Sequence, residues 1–267
     1  LKRYNEAISY FNKSNNIDKA LLDTTNSRRY YSEMWLSSCY MQLGKIKEAQ
    51  AISPDYYMVP PIDRRLTVES DRFSELSNMF AQAGNLERAL EYALRCADIE
   101  KQVAGKEHIW YGNSTIIIGN LYYALGDSIN AEENYLINKN ICKHTYGEYS
   151  ERYVDALLSL ASVNTDFSMK DGLDKATRYL DEAYSIAHKR YPLLEAQIVN
   201  QQSVIAFRNK NYEQAKTLMM QALSLCELAE GKTSNNYEIL LSNTIDLYQM
   251  FGQYDEAITL GQDFLEA

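Results

Sequence analysis

The segment FGQYDEAITLG, Phe251 to Gly261, places a glycine five residues before an alanine, and versions of this phrase recur along the chain. Examples are AGNLERALEYA from Ala83 and LGDSINAEENY from Leu125. The alanines that anchor the phrases are Ala7, Ala49, Ala89, Ala131, Ala176, Ala215 and Ala257. They are separated by 42, 40, 42, 45, 39 and 42 residues. Such a steady period predicts an array of repeated units.

Each unit is predicted to contain two helices, because apolar residues recur at spacings of three and four between the anchors. In the unit of Ala131, we predict helix A from Ile109 to Leu125 and helix B from Ser128 to His144. A glycine stands at the turn, where the backbone leaves the right-handed region. These glycines are Gly44, Gly84, Gly126 and Gly252, and Lys2 and Lys210 replace them in two units. The pattern predicts an all-α fold.

Boundaries between units are marked by a second set of residues, sixteen positions after the anchors: Gly105, Gly147, Gly231 and Pro192. We therefore predict a single array over residues 1–267. It has a partial first unit at 1–26 and further units at about 27–62, 63–105, 106–147, 148–191, 192–231 and 232–267. Pro54, Pro60 and Pro61 predict an extended connector from about Ser53 to Ile62. Extra residues predict a lengthened turn between Asn164 and Ala176.

The anchor alanines are expected to lie where the two helices of a unit cross closely, so the facing residue on helix A should also be small. The residues in that place are Ser37, Ser77, Gly119, Ala161 and Ser203, with Ile245 as an exception. Nine residues before the anchor, large rings should fill the space beside the crossing. These are Tyr40, Phe80, Tyr122 and Tyr248, whereas Asn164 and Ala206 depart from the pattern.

Composition limits the classes of partner. There are 27 basic and 36 acidic residues, a net charge of −9, which disfavours nucleic acid. The four cysteines are widely spaced and are expected to be buried thiols. No apolar run is long enough to span a bilayer, so we expect no membrane insertion and a cytoplasmic location.

The chain begins at Leu1, within a repeat, and stops at Ala267 inside a predicted helix. We interpret it as an excerpt from a longer protein. The apolar side chains of the terminal helices, Ile8, Phe11, Phe264 and Leu265, are then expected to be exposed and to promote end-to-end association of the fragment.

The sequence contains no pattern that indicates a catalytic, metal or cofactor site. His108, His144 and His188 are too scattered for a metal site and are interpreted as helix-end or surface residues. The segment EGKTS at Glu230 lacks the first glycine of a phosphate-binding loop and is interpreted as a turn between units. No carboxylate stands out as one of an isolated pair in an apolar setting. We expect no cofactor, no metal and no enzymatic activity.

These helix pairs, with a small residue and an aromatic on helix A, a glycine turn and an alanine on helix B, resemble the tetratricopeptide repeat (TPR). The period of 42 and the segments YGEYSERYVDALLSLA and GKEHIWYGNSTIIIGNLYYALGD are similar to the kinesin-light-chain subtype. DEAITLGQDFLEA is similar to repeats of bacterial proteins that place such arrays beside a CHAT-type peptidase domain.

The resemblance implies a right-handed α-solenoid that binds a peptide or protein segment in a groove lined by helices A. Counting from the anchors, the residues expected to bind the partner are Tyr31, Met34, Ser38, Asp71, Asn78, Asn113, Ile116, Asn120, Tyr123, Asp155, Leu158, Asn200, Phe207, Ser242 and Asp246. We expect alanine at Asn120, Tyr123 or Phe207 to weaken binding without lowering thermal stability. An alternative is that the array is the regulatory arm of a larger enzyme whose catalytic domain lies outside this chain.

The charge of these positions predicts the ligand class. Asp71, Asp155 and Asp246 favour a neutral or basic ligand over an acidic one. The asparagines Asn78, Asn120 and Asn200 can donate to and accept from an extended backbone, or they can simply be solvated. Exposed aromatic residues concentrate interface energy, which draws attention to Tyr31, Trp35, Tyr56, Tyr57 and Tyr123.

Overall fold

The computed structural model describes residues 2–21, 33, 35–37, 39–40, 43, 45–52, 64–167 and 171–265. Every regular element in these residues is an α-helix, which confirms the predicted all-α class. The predicted connector at 53–62 lies outside them. Contacts divide the chain into two parts, Leu1–Ala156 and Leu157–Ala267, which are described separately. The organisation of all units into a single array stays a prediction.

In the first part, helices follow one another with short turns between the members of each pair. Their bounds are α1 Lys2–Leu21, α2 Ile46–Ile52, α3 Arg64–Gln82, α4 Leu86–Val103, α5 Ile109–Ala124, α6 Ser128–Tyr146 and the first residues of α7, Glu151–Asp166. Helices α3 and α4 pack as one pair and α5 and α6 as the next, and α4 also packs on α5. The predicted helices of the Ala131 unit agree with α5 and α6 to within two residues at each end.

The second part holds the remainder of α7 and the helices α8 Gly172–Ala187, α9 Pro192–Arg208, α10 Tyr212–Glu230, α11 Asn235–Met250 and α12 Tyr254–Leu265. The pairs are α9 with α10 and α11 with α12, and α10 packs on α11. Helix α7 ends at Asp166 and α8 begins at Gly172, but residues 168–170, where the lengthened turn is predicted, lie outside the described residues. The segment EGKTS forms the turn from α10 to α11, as predicted.

The turn inside each pair is closed by the same backbone hydrogen bonds. Between α5 and α6, the N–H of Gly126 donates to the carbonyl of Tyr123 at 3.0 Å, and the N–H of Asp127 donates to Tyr122 at 2.9 Å. Gly126 has a φ of 83°, which a residue without a Cβ adopts without strain. The Asp127 side chain then accepts from the N–H of Asn130 and caps α6. This confirms the predicted role of the glycine.

Lys210 occupies the same place in the turn from α9 to α10. Its N–H donates to the carbonyl of Phe207, and the N–H of Asn211 donates to Ala206, both at 2.9 Å. The φ of Lys210 is 62°, so a residue with a Cβ is held in the left-handed region. The turn geometry is therefore maintained against a local backbone cost.

The anchor alanines are buried where paired helices meet. Ala49, Ala89, Ala131, Ala176 and Ala215 are fully inaccessible and Ala257 is 4% exposed, whereas Ala7 in α1 is half-buried and departs from the column. Two of the small facing residues also donate hydrogen bonds to the anchor alanines. Ser37 donates its hydroxyl to the carbonyl of Ala49 at 2.7 Å, and Ser77 donates to that of Ala89 at 2.9 Å.

Side-chain sizes at the crossing compensate each other across the pair. A Cβ added to Gly119 on α5 would lie 2.5 Å from the ring of Tyr135 on α6. In the last pair the sizes are exchanged, because Ile245 on α11 faces Gly261 on α12, whose added Cβ would lie 3.8 Å from the Ile245 Cδ1. Ile245, the exception in the small column, is therefore matched by a glycine on the other helix.

We expect Gly119→Ala to destabilise the protein by about 1–3 kcal/mol, because the new methyl group overlaps the Tyr135 ring in a packed site. Urea unfolding measures the effect. The double variant Gly119→Ala/Tyr135→Leu should recover part of the loss, since the smaller side chain removes the overlap. Equal stability of Gly119→Ala and the wild type would contradict the close approach.

We expect Lys210→Gly to stabilise the protein by about 0.5 kcal/mol, because relief of left-handed strain exceeds the greater backbone entropy of glycine in the unfolded chain. Thermal unfolding provides the measurement. The control is Lys175→Gly inside α8, which should instead destabilise by about 1 kcal/mol. A loss of stability in both variants would rule out strain at Lys210.

Candidate binding surface on the first helix of each pair

In the first part, the exposed side of helices α3 and α5 presents predicted groove residues to solvent. Asp71 and Asn78 on α3 and Asn113 on α5 are exposed, and none of the three side chains has a hydrogen-bond partner among the described residues. Ile116, beside Asn113, is half-buried. The surface is therefore polar, with unused donors and acceptors. Three other predicted residues, Tyr31, Met34 and Ser38, lie outside the described residues, as do Tyr56 and Tyr57.

Asn120 is exposed on α5, but part of its hydrogen-bonding capacity is used. The Tyr135 hydroxyl donates to its Oδ1 at 2.9 Å, which fixes the amide orientation and leaves the Nδ2 group able to donate. Tyr123, one turn further, is half-buried. Trp35 is 52% exposed and its ring stacks on Phe11, with centroids 6.5 Å apart.

A polar cluster lies behind this surface, where α3, α4 and α5 meet. The Cys96 Sγ lies 3.3 Å from the Ser70 Oγ and accepts from the Ser114 Oγ at 3.6 Å. Ser114 also donates to a Glu100 carboxylate oxygen at 2.6 Å. The cluster places the half-buried Glu100 behind the exposed Asp71.

Burial raises the pKa of Glu100 to about 7, the hydrogen bonds from Ser114 and Cys96 oppose the shift, and the charge of Asp71 adds to it. Glu100 is therefore a carboxyl with a shifted pKa that the sequence analysis did not single out. A signal was present in the repeat. Eleven residues after their anchors, Cys142, Ala187 and Cys226 are small and buried, whereas Glu100 stands in the same place after Ala89.

Asp155 on α7 is exposed, yet partial burial raises its pKa, with Arg152 opposing the shift and Glu151 adding to it. The neighbouring thiol of Cys142 is buried, and its pKa is raised to about 11 for the same reason. A positively charged ligand would favour the ionised form of the Asp155 carboxyl.

In the second part, Leu158 on α7 departs from its predicted place in the groove. It is only 6% exposed, and Gln201 Nε2 on α9 donates to its carbonyl at 3.4 Å. Asn200 on α9 is half-buried, and its Oδ1 atom has no hydrogen-bond partner. Ser242 and Asp246 on α11 are exposed.

Phe207 has a structural role that the sequence did not reveal. Its ring lies 5.6 Å from that of Tyr212 and 6.0 Å from that of Phe251, measured between centroids, and Tyr212 and Phe251 are 5.0 Å apart. Lys216 Nζ lies 5.8 Å from the centroid of the Phe251 ring. Alanine at Phe207 would remove these ring contacts between two helix pairs, so we now expect it to lower thermal stability.

The histidines and cysteines have structural positions, as predicted. His108 accepts from the N–H of Trp110 and caps α5, and His188 ends α8 with its Nδ1 2.7 Å from buried Glu195. All four cysteines are buried and unpaired. Among the described residues, no group of three metal-ligating side chains could hold an ion, and no helix is long and apolar enough to cross a membrane.

Residues 71–109 and 194–267 match two family models of the tetratricopeptide repeat. These segments contain α4 and the four-helix stretch from α9 to α12, in which the turn glycines and anchor alanines recur. No curated protein sequence matches the chain. The CHAT-type context and the bacterial source stay predictions.

Solved structures with a similar fold come from kinesin-light-chain-like proteins and a Rap protein. A Podosopora anserina kinesin light chain with TPR-like repeats has a TM-score of 0.58 and 18% identity, covering 76% of this chain and 93% of that one. BtubC (BKLC) from P. vanneervenii has a TM-score of 0.56 and 15% identity, covering 87% and 94%. A Rap protein complexed with Competence and Sporulation Factor has a TM-score of 0.62 and 13% identity, covering 100% and 74%.

We expect Glu100→Gln to be most stabilising, relative to the wild type, above pH 7. The folded-state pKa of about 7 exceeds the ordinary value of 4.5, so the wild type loses stability as pH rises between these values and the carboxyl must ionise in a desolvated place. The glutamine removes this dependence. Urea unfolding at pH 5, 6, 7 and 8 measures it, with Glu87→Gln on exposed α4 surface as the control for loss of a charge. A difference from the wild type that is constant over this range would contradict the burial of Glu100.

Proposed function

Because two segments of the chain match tetratricopeptide-repeat models, we propose that it is a non-catalytic scaffold. It binds a neutral or basic protein segment along the exposed side of its first helices. The observation that supports this most is a set of side chains on α3 and α5 that have no hydrogen-bond partner among the described residues. Asp71, Asn78 and Asn113 point to solvent with unused hydrogen-bonding groups on a surface supported by well-packed helix pairs.

Asparagine amides suit a peptide backbone, because each amide group donates and accepts at once. Asn78 and Asn120 occupy the same place in successive repeats, eleven residues before their anchors. Asn120 already accepts from Tyr135, so it offers its Nδ2 group, whereas both groups of Asn78 are available. In the second part, the Oδ1 of Asn200 has no hydrogen-bond partner, but it is buried and does not face an external peptide.

Charge favours a basic over an acidic segment. The described residues of the predicted surface include Asp71, Asp155 and Asp246, and no lysine or arginine. Glu100 adds a carboxyl behind Asp71, and a cation there would favour its ionised form. An acidic tail would instead place like charges together without a charge-assisted donor. The Rap protein of similar fold, solved with Competence and Sporulation Factor, supports a bound partner by analogy of fold alone.

A phage-displayed random peptide library panned on the full chain tests the proposal. We expect selected peptides to be neutral or basic and to bind Asn78→Ala/Asn113→Ala about tenfold more weakly, since two hydrogen bonds are lost. Asp71→Asn should weaken the binding of basic peptides in particular. The control is Asn140→Ala, an exposed asparagine on α6, the second helix of its pair. Melting temperatures of all variants should equal that of the wild type.

Selected peptides that bind the double variant and the wild type equally would reject this surface as the binding site. Enrichment of acidic peptides would reject the charge preference.

A further inference from the structure

A cleft in the second part of the chain opens between α8, α9 and α10, near the turn that joins α9 to α10. Its volume is about 350 Å³. Ala206, Ile205 and Leu180 form an apolar floor, and Leu218 from α10 closes one side. Thr177, Asp181, Gln202, Asn209, Asn211 and Gln214 provide polar groups around the floor. A cleft of this size with an apolar base and converging polar groups is a typical ligand site.

The repeat explains why the cleft exists. Ala206 stands nine residues before its anchor, where Tyr122 stands in the unit of Ala131. Tyr122 packs against an apolar cluster that includes Ala89, Ala93 and Ile118. With alanine in this place, the ring is missing and its space is left open.

Residues that line the cleft also differ from those at the corresponding positions around Tyr122. Position by position, Ile118 corresponds to Gln202, Leu90 to Thr177 and Leu94 to Asp181. Loss of a ring alone would leave a dry apolar cavity, which destabilises a protein. Here two members of the cluster around Tyr122, Ile118 and Leu90, are replaced by an amide and a hydroxyl, and the exposed Leu94 is replaced by a carboxylate. The space therefore suits a polar occupant.

Hydrogen bonding shows which groups are available. Asn211 donates its Nδ2 to Gln214 Oε1 at 2.7 Å, and Thr177 donates to the carbonyl of Leu173 at 2.8 Å, so these groups are partly used. The side chains of Asp181, Gln202 and Asn209 have no hydrogen-bond or ion-pair partner among the described residues. Three acceptor side chains, one of them charged, therefore line the cleft without an intramolecular hydrogen bond among the described residues.

We propose that this cleft binds an arginine side chain of a partner protein. A guanidinium group is planar, can lie on the Ala206 floor where other units hold a ring, and carries five N–H donors for the carboxylate of Asp181 and the amide oxygens. Its methylene stem covers Leu180 and Ile205. Lysine offers only three N–H donors from a compact ammonium group, so it satisfies fewer of these acceptors at once.

The source is a protein rather than free arginine. Among the described residues that line the cleft, Asp181 alone is charged, and none is a cation that could pair with a free α-carboxylate. Positions 202, 206 and 209 lie on the opposite side of α9 from positions 200, 204 and 207, which the predicted groove uses. The site is therefore separate from the surface proposed above, and either can exist without the other.

Nuclear magnetic resonance of the full chain with labelled Ile and Leu methyl groups tests the proposal. The probe is N-acetyl-arginine-methylamide, titrated at constant ionic strength. We expect saturable shifts of the Ile205, Leu180 and Leu218 methyl signals. The citrulline analogue, which has the same shape without charge, should bind roughly tenfold more weakly, as should free arginine and the lysine analogue.

Two variants of different kinds complete the test. Asp181→Asn should weaken the blocked arginine roughly tenfold, whereas Asp174→Asn, the same change on exposed α8 surface, should leave the affinity unchanged. Ala206→Phe restores the ring and should abolish binding; its folding is checked by the dispersion of the methyl spectrum. The proposal is overturned by equal binding of the citrulline analogue, by unchanged affinity in Asp181→Asn, or by shifts that do not saturate. If free arginine binds as tightly as the blocked form, a small-molecule site replaces the protein partner.

Discussion

The close crossing of two helices at a buried alanine is the constraint on which the rest of this structure depends. Ala89 and Ala131 have no accessible surface, and a larger side chain at either would separate the helices. The facing residue must then be small or be matched by a small residue on the partner, as Gly119 with Tyr135 and Ile245 with Gly261 show. Where serine faces the alanine, its hydroxyl is satisfied by the alanine carbonyl, so a buried polar group remains compatible with tight packing.

This crossing determines which sides of each helix are free to interact. Once one side of α5 packs against α6 and another against α4, the side that holds Asn113 and Asn120 remains exposed. The repeated packing supports polar side chains that stability does not require. Such side chains can vary between proteins of the same fold, which is why the similarity to kinesin-light-chain-like and Rap structures describes the architecture and leaves the ligand open.

A unit gains distinct chemistry where one of its residues differs from the residues at the same position in the other units. Glu100 replaces a small buried residue, and burial then brings its pKa to about 7 beside Asp71. Ala206 replaces a ring, and polar residues around it convert the vacated space into a cleft. In both places the departure is compensated by neighbours, Ser114 for the carboxyl and Gln202 and Thr177 for the lost apolar contacts. When neighbouring residues change to match such a substitution, the result is a site rather than a packing defect.

From the sequence alone, the period, the helix pairs, the turn glycines and the buried cysteines could be deduced. Each depends on local spacing: a 3.6-residue helical period, or a backbone that must adopt a positive φ at Gly126. Tertiary structure decided the rest, because burial and pairing join residues that are distant in the chain. The three-ring contact of Phe207, the burial of Leu158, the desolvation of Glu100 and the cleft at Ala206 arise from packing between helices. No local pattern contains that information.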